Sequence, residues 1–490
     1  MSKHIVVIGS GFASLAAATT LATQGKQVTI LEKNSQAGGR ARKFSASGFT
    51  FDMGPSWYWM PDVFENYFAR FGKKVSDYYQ LERLSPSYAV YFGKDDRVDI
   101  PADYQALKEL FEHYEKGSAK GLDRFLKEAA YKYEVGMNDL VHKPSQSIFE
   151  FAQWRVVSGV FRMQLFQSLS KHLKNYFSHE KLIKLMEFPV LFLGAKPQET
   201  PALYSLMNYA DIKLGTWYPQ GGMHKIVEGM VSLAKEKGVK FVFDTEVKGF
   251  ATKAGKVVAA KTGKSEIKAD AFISGADYHH TDKQLLEEQH HNYTEGYWDK
   301  RKMAPSSLLF YLGVNKKLKN LLHHNLFFDE DFGLHAEEIY DKPKWPSKPL
   351  FYACVPSKTD NSVAPDEMEN LFLLMPVAPN LKDDEETRER YYHIIMDRLE
   401  KLTDQKIREH VIYKRSYAHQ DFIEDYHAYK GNAYGLANTL QQTAILKPSI
   451  RNKKLKNLFY TGQLTTPGPG VPPSLISGQV VAKEVLKTLT

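Results

Sequence analysis

The first 31 residues follow the hydrophobic pattern of a strand, a helix and a second strand. Residues 5–8 are four consecutive aliphatic side chains, and residues 27–31 form another mainly apolar run. Between them, residues 15–24 carry small and apolar side chains at helical spacing. Strands of a parallel sheet are buried on both faces and are therefore continuous aliphatic runs. The pattern predicts a βαβ unit of a parallel sheet at the start of the chain.

The middle of the chain predicts helices, followed by a return to strands. Residues 102–150 have the amphipathic pattern of helices with charges on one face. Residues 225–236 predict a helix, and residues 240–243 and 248–251 predict a hairpin-like pair of strands. A further strand at residues 269–274 ends in glycine, which is typical of the ligand edge of a doubly wound sheet.

The region from about residue 280 to residue 445 predicts a mostly antiparallel sheet with helices to one side. A long charged helix is expected at residues 383–402. The strand-like runs are residues 307–314, 326–328, 371–377 and 411–415. After a last strand that begins at Leu458, a Pro/Gly-rich turn leads into a final helix at residues 474–486.

Composition narrows the class of protein. A chain of 490 residues is too long for one compact core, so two or three domains are expected. Hydrophobic residues at 43% and charged residues at 25% are ordinary globular values. The single cysteine, Cys354, excludes a disulfide framework, a cysteine metal cluster and a redox dithiol, and it fits a reducing cytoplasm. Because Cys354 follows an apolar strand-like run, we expect a buried, inert thiol.

The net charge of +8 favours an anionic partner. The basic residues are dispersed and no nucleic-acid motif is present, so a membrane surface is favoured over nucleic acid. Residues 151–185 are rich in aromatic and basic side chains and predict a helical region in the membrane interface. The alternative is a helix packed on the protein's own core. The sequence contains no run of 18 apolar residues, so we expect no membrane-spanning helix. The first strand begins almost at the N-terminus, so we expect no signal peptide.

A glycine-rich turn follows the first strand and indicates a dinucleotide site. Gly9 lets the backbone turn sharply, and Gly11 has no side chain to hold a pyrophosphate away from the helix N-terminus. Glu32, 21 residues past Gly11, is placed to accept hydrogen bonds from a ribose. Ser14 stands where the third glycine is usual, so we expect slightly altered packing there.

A second group of motifs selects the type of dinucleotide. Gly38-Gly39-Arg40 follows the ribose acid, and Asp52-Met53-Gly54-Pro55-Ser56 comes shortly after it. Together with Gly9-x-Gly11 and Glu32-Lys33, these residues resemble the amine-oxidase-like FAD superfamily. Within that superfamily they most resemble the bacterial carotenoid desaturases of the phytoene desaturase type.

The resemblance implies FAD as the cofactor and a specific set of binding residues. It assigns Val247 to the adenine, and the turn at Gly462-Gln463 with the following helix to the flavin ring; Gln463 stands where the family usually has an acid. The predicted cofactor-binding residues are Gly9, Gly11, Phe12, Ala13, Ser14, Glu32, Lys33, Gly39, Arg40, Gly54, Pro55, Ser56, Val247, Gly462, Gln463, Val471 and Pro472. We expect the amides that open the final helix to stabilise negative charge on the reduced ring.

The resemblance also implies the fold class and the domains. We expect an α/β protein whose Rossmann-like FAD-binding domain is discontinuous and formed by residues 1–60, 215–280 and 450–490. A mixed α+β substrate-binding domain would comprise residues 61–214 and 281–449, and it would include the membrane-associating helical region.

Two further side-chain groups have alternative interpretations. Trp57, Tyr58, Trp59 and Met60 follow the Gly-Pro turn and either wall an apolar substrate channel or line an ordinary core. The pairs His279-His280, His290-His291 and His323-His324 suggest metal ligands. Adjacent histidines point apart on a strand or helix, so we expect surface or turn histidines and no metal site.

The implied activity is desaturation of a long, acyclic C40 carotenoid. A hydride passes from one carbon to the flavin, and a base or water takes the proton from its neighbour. Resemblance at residues 57–61 and 460–480 to flavobacterial-type enzymes favours 1'-hydroxycarotenoid 3,4-desaturation; multi-step phytoene desaturation is the alternative. A carotenoid isomerase or another flavin oxidase of the superfamily stays open. The sequence does not identify a general base. We expect oxygen or a quinone to be the electron acceptor. The expected location is cytoplasmic, peripheral on the inner face of the cell membrane.

Overall fold

The computed structural model of the protein describes residues 2–147, 150, 164, 167–194 and 196–489. Its β-strands are β1 (His4–Ile8), β2 (Gln27–Leu31), β3 (Lys43–Ala46), β4 (Phe49–Asp52), β5 (Leu81–Arg83), β6 (Tyr88–Gly93), β7 (Asp96–Ile100), β8 (Trp217–Pro219), β9 (Lys240–Val242), β10 (Val247–Lys253), β11 (Lys256–Thr262), β12 (Glu266–Lys268), β13 (Ala271–Ser274), β14 (Ser306–Val314), β15 (His324–Phe327), β16 (Phe351–Cys354), β17 (Glu369–Val377), β18 (Val411–Tyr417) and β19 (Leu458–Tyr460).

The α-helices of the described residues are α1 (Phe12–Thr23), α2 (Pro61–Ala69), α3 (Tyr104–Tyr114), α4 (Ser118–Val135), α5 (Leu169–Leu173), α6 (Glu180–Glu187), α7 (Leu206–Tyr209), α8 (His224–Glu236), α9 (Tyr278–Gln284), α10 (Glu295–Asp299), α11 (Phe332–Tyr340), α12 (Glu385–Thr403), α13 (His419–Tyr426) and α14 (Val471–Leu489). Short 3-10 and π-helical turns connect several of them.

The two aliphatic runs at the N-terminus form neighbouring strands, β1 and β2, of a five-stranded parallel sheet. This confirms the predicted βαβ unit. The strand order is β19-β13-β1-β2-β9, and every neighbouring pair is parallel. Residues 5–8 of β1 are buried because helices or other strands cover both faces of the sheet. The sheet therefore has the doubly wound, Rossmann-like architecture that the motifs indicated, and the predicted α/β fold class is confirmed.

The prediction that residues 240–243 and 248–251 form a hairpin-like pair is wrong. The first segment, β9, returns from helix α8 and pairs parallel with β2. The second segment, β10, instead pairs antiparallel with β11, and β11 pairs with β12. A strand that follows a crossover helix extends the parallel sheet, because the helix has already carried the chain back to its starting end.

Helices α1 and α14 pack closely on one another beside the parallel sheet. A Cβ atom at Gly478 of α14 would lie 2.0 Å from the carbonyl oxygen of Ala13 and 3.0 Å from the Cβ atom of Ala16. Small residues on both helices permit this approach, and α1 is buried along most of its length. The C-terminal helix thus fixes the position of the helix that begins at the glycine-rich turn.

The predicted antiparallel sheet is present, and it has seven strands. Their order is β18-β14-β17-β16-β15-β6-β7, and only β15 and β6 pair in parallel. Helix α12 packs on one face of this sheet through Tyr392, Ile395 and Leu399, which belong to one buried cluster with Phe310 and Leu373. Strands β6 and β7 come from early in the chain, so the sheet joins segments that are far apart in sequence.

The helical segment at residues 102–150 divides into α3 and α4, which are separated at residues 115–117. Part of the predicted membrane region cannot be compared with the structure, because residues 151–163, 165 and 166 lie outside the described residues. Its remainder includes α5 and the start of α6. Among the described residues, no helix has both the length and the apolar character needed to cross a bilayer.

Candidate functional site

A cavity of about 910 Å³ extends from the carboxyl edge of the parallel sheet to the face of the seven-stranded sheet. All of the predicted cofactor-binding residues line this cavity, from Gly9 to Pro472. The structure therefore brings together residues from three separated parts of the chain, residues 9–56, residue 247 and residues 462–472. Their role in binding stays a prediction.

The glycine-rich turn places the start of α1 at the cavity wall. Gly9 has φ of +82°, a conformation that favours glycine, and its N–H donates to the carbonyl oxygen of Leu31 at 2.7 Å. A Cβ atom at Gly11 would meet no atom of the described residues within 4 Å, because it would project into the cavity. Phe12 and Ala13 of the first turn of α1 line the same space, and the free amides of a helix N-terminus suit a phosphate group.

Ser14 is accommodated by a glycine on the neighbouring strand exit. A Cβ atom at Gly275 would lie 2.0 Å from Ser14 Oγ, so only glycine fits opposite the serine. Ser14 Oγ is buried and has no hydrogen-bond partner among the described residues. The altered packing expected at this position is thus absorbed by Gly275, the glycine that follows the strand predicted at residues 269–274.

Glu32 lies at the end of β2 and is 4% exposed. Its Oε2 accepts hydrogen bonds from the amide of Ser10 at 2.8 Å and from Ser10 Oγ at 2.6 Å. Its Oε1 accepts from the amide of Asn34 at 2.9 Å. These bonds hold the carboxylate at the cavity edge, where its remaining acceptor sites can face the two hydroxyl groups of a ribose.

Arg40 follows the glycine pair and brings a buried cation to the cavity. A Cβ atom at Gly39 would lie 3.5 Å from the Cα atom of Gly11, so the two glycine turns are in close contact. Arg40 Nε is buried and has no hydrogen-bond partner within the described part of the chain. Burial lowers the pKa of Arg40 from its usual value, and nearby Asp277 opposes this effect. An incompletely bonded guanidinium beside a phosphate-sized space fits an anionic dinucleotide.

The Gly54-Pro55-Ser56 turn crosses directly beside Arg40. A Cβ atom at Gly54 would lie 2.5 Å from the carbonyl oxygen of Arg40, so a larger residue cannot take its place. Ser56 Oγ accepts a hydrogen bond from the hydroxyl of Tyr352 at 3.0 Å. This contact joins the turn to β16 of the seven-stranded sheet.

The part of the cavity predicted to hold the adenine lies where β10 begins. Val247 lines it, and the adjacent Glu246 accepts a hydrogen bond from His427 at 2.8 Å. Lys33 Nζ donates to the carbonyl oxygen of Glu424 at 2.6 Å, so this side chain is engaged by the protein. The ring of His280 stacks on that of His427, with ring centroids 3.9 Å apart. Both histidines line this part of the cavity, which the sequence did not predict.

The C-terminal turn differs in one respect from the sequence expectation. Helix α14 begins at Val471, three residues before the predicted start. Pro472 and Pro473 have no N–H group, and the amide of Ser474 donates to the carbonyl oxygen of Gly470 at 3.0 Å. The sequence predicted that several amides at the start of this helix face the ligand. In the first turn, Val471 is instead the residue whose N–H group is available for such a contact.

Gln463 packs tightly beside the same turn. A Cβ atom at Gly435 would lie 3.0 Å from the carbonyl oxygen of Gln463. Its Nε2 atom lies 3.4 Å from Asn432 Oδ1, and Asn432 also accepts the amide of Gly435 at 2.7 Å. Gly462, with φ of +106°, donates its N–H to Ser477 Oγ on α14 at 3.1 Å.

The rest of the cavity is an apolar arm. Trp57, Trp59 and Met60 line it, whereas Tyr58 is buried and lies 3.0 Å from the hydroxyl of Tyr79. The arm also has a wall of aliphatic and aromatic side chains that the sequence did not single out, including Phe188, Leu206, Met207, Leu326, Phe328 and Ile339. They come from several elements whose proximity depends on the tertiary fold.

Trp59 is held by a buried polar chain. Its Nε1 donates to Thr216 Oγ1 at 2.8 Å, and Thr216 donates to Asp211 Oδ1 at 3.2 Å. The hydroxyl of Tyr88 donates to Asp211 Oδ2 at 2.9 Å. Burial raises the pKa of Asp211 from 3.8 to about 7, because the charged form loses its solvation.

The expectation of surface or turn histidines is wrong for one pair. His323 and His324 are 5% and 0% exposed, because they lie at the start of β15 inside the seven-stranded sheet. The pairs at residues 279–280 and 290–291 are only partly buried. Cys354 is buried, as predicted.

Comparison with known proteins gives a consistent result over the whole chain. The model of the family "Flavin containing amine oxidoreductase" matches residues 12–486. A carotenoid 3,4-desaturase of Haloarcula japonica is 40% identical over 488 residues, which cover 99% of each chain. A zeta-carotene-forming phytoene desaturase of Myxococcus xanthus is 29% identical, covering 99% of this chain and 94% of that protein. A solved oxidoreductase from Methanosarcina mazei has a TM-score of 0.65 at 16% identity, over 98% of this chain and all of that one, and it shows the shared fold.

Proposed function

The chain belongs to the flavin-containing amine oxidoreductase family, and from that premise we propose that it is an FAD-dependent carotenoid desaturase. Its substrate would be a long, acyclic C40 carotenoid, and its reaction the introduction of a carbon–carbon double bond. Within this class we favour 3,4-desaturation of a 1'-hydroxycarotenoid. The 40% identity to a carotenoid 3,4-desaturase over the full length supports this choice.

The observation that carries the proposal is the continuity of the cavity. Its nucleotide end has the glycine turn, Glu32 and Arg40, and its other end is the apolar arm. One cavity can thus hold a dinucleotide and an apolar chain end to end. An amine or another charged substrate would leave its polar group without a partner against such a wall.

The residues present fit FAD. The open space at Gly11 suits the pyrophosphate, as does the buried Nε atom of Arg40, which has no hydrogen-bond partner among the residues that the structure describes. Glu32 suits the ribose. Val247 would lie against the adenine, and Gly462, Gln463, Val471 and Pro472 would hold the ring system. When it is bound, the flavin supplies a two-electron acceptor for a hydride from the substrate.

The chain's own contribution is to orient the substrate and exclude water. Trp57 and Trp59 form one wall beside the Gly54-Pro55 turn, with ring centroids 5.2 Å apart. The bond from Trp59 to Thr216 fixes the second indole, so the wall has a defined shape. A dry, rigid arm keeps the polyene extended and prevents water from adding to the electron-poor carbon that hydride loss produces.

Multi-step phytoene desaturation is the second candidate. The match to a zeta-carotene-forming phytoene desaturase favours it, although the identity is lower. The two activities differ in where the reacting bond lies along the chain and in how many hydrogens are removed. They therefore give products of different mass from different substrates.

A substrate comparison tests this choice. FAD-loaded protein is incubated in liposomes with phytoene in one arm and with a 1'-hydroxylated γ-carotene in the other, and the products are analysed by mass. We expect the hydroxylated substrate to lose two hydrogens once and phytoene to be unchanged. Loss of four or more hydrogens from phytoene would instead establish the second candidate, and an unchanged mass with altered retention would indicate an isomerase.

We further propose that the protein acts on the cytoplasmic face of the cell membrane as a peripheral protein, with oxygen or a quinone as the final electron acceptor. An apolar carotenoid is dissolved in lipid, and the net charge of +8 favours an anionic surface. Lys171 and Lys174 lie on exposed positions of the predicted membrane region, whereas Lys181 pairs with Asp96 at 2.6 Å.

Vesicle flotation tests this membrane proposal. The double variant Lys171→Glu/Lys174→Glu should bind anionic vesicles several-fold more weakly than the unaltered protein, because it reverses two charges near the surface. Lys253→Glu/Lys256→Glu, in the exposed β10–β11 turn, makes the same charge change elsewhere and should retain binding. Equal loss in both variants would show that only the overall charge matters.

The division into domains follows the same proposal. Residues 1–60, 215–280 and 450–490 would form the FAD-binding domain, since all strands of the parallel sheet come from these segments. Residues 61–214 and 281–449 would form the substrate-binding domain. The apolar arm would then be the interface between the two.

A further inference from the structure

Three potential metal ligands meet where two neighbouring inner strands of the seven-stranded sheet begin and end. His324 of β15 lies directly opposite Cys354 of β16 in the antiparallel register, so both side chains are on one face. His323 turns towards them, and the centroids of the two imidazole rings are 4.5 Å apart. One ligand atom from each of His323, His324 and Cys354 lies within 4.8 Å of the other two.

The hydrogen bonds of both histidines leave the same ring nitrogen without a partner. His323 Nδ1 lies 2.8 Å from Thr359 Oγ1, and His324 Nδ1 lies 2.6 Å from the hydroxyl of Tyr352. Each Nε2 atom is buried and has no hydrogen-bond partner within the described residues. Metal-binding imidazoles have this arrangement: one ring nitrogen is hydrogen-bonded to an outer partner, and the lone pair of the other nitrogen is available to the metal.

A small cavity lies beside two of these three side chains, His323 and Cys354. It has a volume of about 20 Å³ and is lined by His323, Cys354 and the carboxylate-bearing Asp52, among others. A space of this size accepts a single ion or a single water molecule. Both oxygens of Asp52 already accept backbone N–H groups, from Met223 at 2.7 Å and from His224 at 2.9 Å, so Asp52 contributes negative charge rather than a ligand.

We propose that His323, His324 and Cys354 form a binding site for one Zn²⁺ ion. Two imidazole nitrogens and one thiolate are a donor set that zinc prefers, and a water molecule would complete a tetrahedron. The thiol proton leaves on binding, so the thiolate and nearby Asp52 together offset the charge of the ion. The proposed zinc site does not depend on the proposed carotenoid chemistry.

The site would have a structural role next to the cofactor turn. His324 stacks on Trp57 with ring centroids 4.0 Å apart, and Tyr352 bonds both His324 and Ser56. An ion held between β15 and β16 would therefore fix the wall of the apolar arm and the Gly54-Pro55-Ser56 turn. Without an ion, two buried nitrogen atoms would each lose the hydrogen bonds that water gives them in the unfolded chain.

Metal content of the full-length, untagged, FAD-loaded protein tests the proposal. The protein is produced with added zinc, passed over a chelating resin, and analysed by mass spectrometry for zinc and by absorbance for flavin. We expect one zinc ion per chain in the unaltered protein and less than a tenth of that in Cys354→Ser and His323→Gln. His393→Gln, at a partly exposed position on α12, is the matched control and should retain the zinc.

Cobalt substitution identifies the ligand independently of any variant. Cys354 is the single cysteine of the chain, so a thiolate-to-cobalt charge-transfer band in the difference spectrum of Co²⁺-exchanged protein can come only from Cys354. We expect this band in the unaltered protein. Its absence, a lack of zinc after supplementation, or equal zinc in the variants and the unaltered protein would overturn the proposal. Those results would mean that a buried water molecule bonds the cluster instead.

Discussion

At the scale of single residues, the cofactor end of the cavity depends on positions where a side chain would be too large. Gly54 lies against the backbone of Arg40, and Gly275 lies against Ser14. Gly11 is different, because a side chain there would enter the cavity, in the space proposed for the ligand, rather than meet another described residue. The glycines of the site thus have two separable roles, and substitution can distinguish them.

Gly11→Val should abolish FAD retention while the protein stays folded. The valine side chain fills the space proposed for the pyrophosphate, but its Cβ atom meets no other atom in the described part of the chain within 4 Å. The ratio of flavin absorbance to protein absorbance after purification measures retention. Gly263→Val, in an exposed turn with ordinary backbone geometry, is the control and should stay yellow. Full flavin content in the Gly11→Val protein would refute the placement of the pyrophosphate.

Glu32→Ala should weaken FAD binding by about 1–3 kcal/mol, the range for lost hydrogen bonds to a charged group. That is a fall in affinity of roughly five-fold to more than a hundred-fold. Fluorescence titration of the apoprotein with FAD measures the change. Because Glu32 also holds the amide of Ser10, circular dichroism should first establish that the variant is folded. An unchanged affinity would exclude Glu32 as the ribose ligand.

Asp211→Asn should change how stability depends on pH. The pKa of Asp211 is about 7 in the folded protein and 3.8 when exposed, so the folded state binds this proton more tightly. The resulting stability is present below pH 4 and is lost as the pH rises through about 7. Asparagine stays neutral, so the free energy of unfolding of the variant should rise relative to that of the unaltered protein, by on the order of 4 kcal/mol between pH 4 and pH 8. Denaturant unfolding across this range measures the gap, and a constant gap would contradict the assignment.

At the scale of elements, the packing of α1 on α14 sets the position of the dinucleotide turn. The contact is close because Gly478 faces the backbone of Ala13. The cofactor site is consequently sensitive to a helix that comes from the opposite end of the chain.

Gly478→Leu should therefore reduce both stability and flavin content. The added side chain cannot fit between the helices, and such overpacking costs about 1–3 kcal/mol or more. Thermal unfolding and the flavin-to-protein ratio report the two effects. Lys483→Ala, at an exposed position of the same helix, should alter neither. Normal melting with normal flavin content in the Gly478→Leu protein would show that the two helices can separate without consequence.

The elements that sequence predicted well are those with strong local signals. The aliphatic run of β1, the small residues of α1 and the charged pattern of α12 each indicate their structure without knowledge of their neighbours. The pairing of β9 could not be obtained in this way. A three-residue strand carries no register information of its own, and its partner was decided by the helix that precedes it.

At the scale of the whole molecule, the two ends of the cavity differ in how far sequence could predict them. The proposed cofactor end is built from turn motifs, whose backbone geometry is encoded within a few residues, so residues that line this part of the cavity could be named in advance. The apolar arm is built from side chains such as Phe188, Leu326 and Ile339, which belong to three different elements. Ordinary core residues have the same local pattern, and only the tertiary fold places these at one wall.

The buried histidines illustrate the same limit. Adjacent residues on a regular strand point to opposite faces, which argued against a shared site. His323 precedes the first residue of β15 and is not bound by that alternation. The register of β15 with β16, which brings Cys354 opposite His324, is a property of the whole sheet.

The measurement that most directly tests the central claim is anaerobic incubation of the FAD-loaded protein with its carotenoid substrate in liposomes. Flavin absorbance and product mass are followed together, without oxygen or any other electron acceptor. We expect one flavin to be bleached for each substrate molecule that loses two hydrogens, with colour restored on admission of air. A folded, yellow protein that leaves the flavin oxidised and the substrate mass unchanged, with both phytoene and the 1'-hydroxylated γ-carotene, would contradict assignment as a carotenoid desaturase.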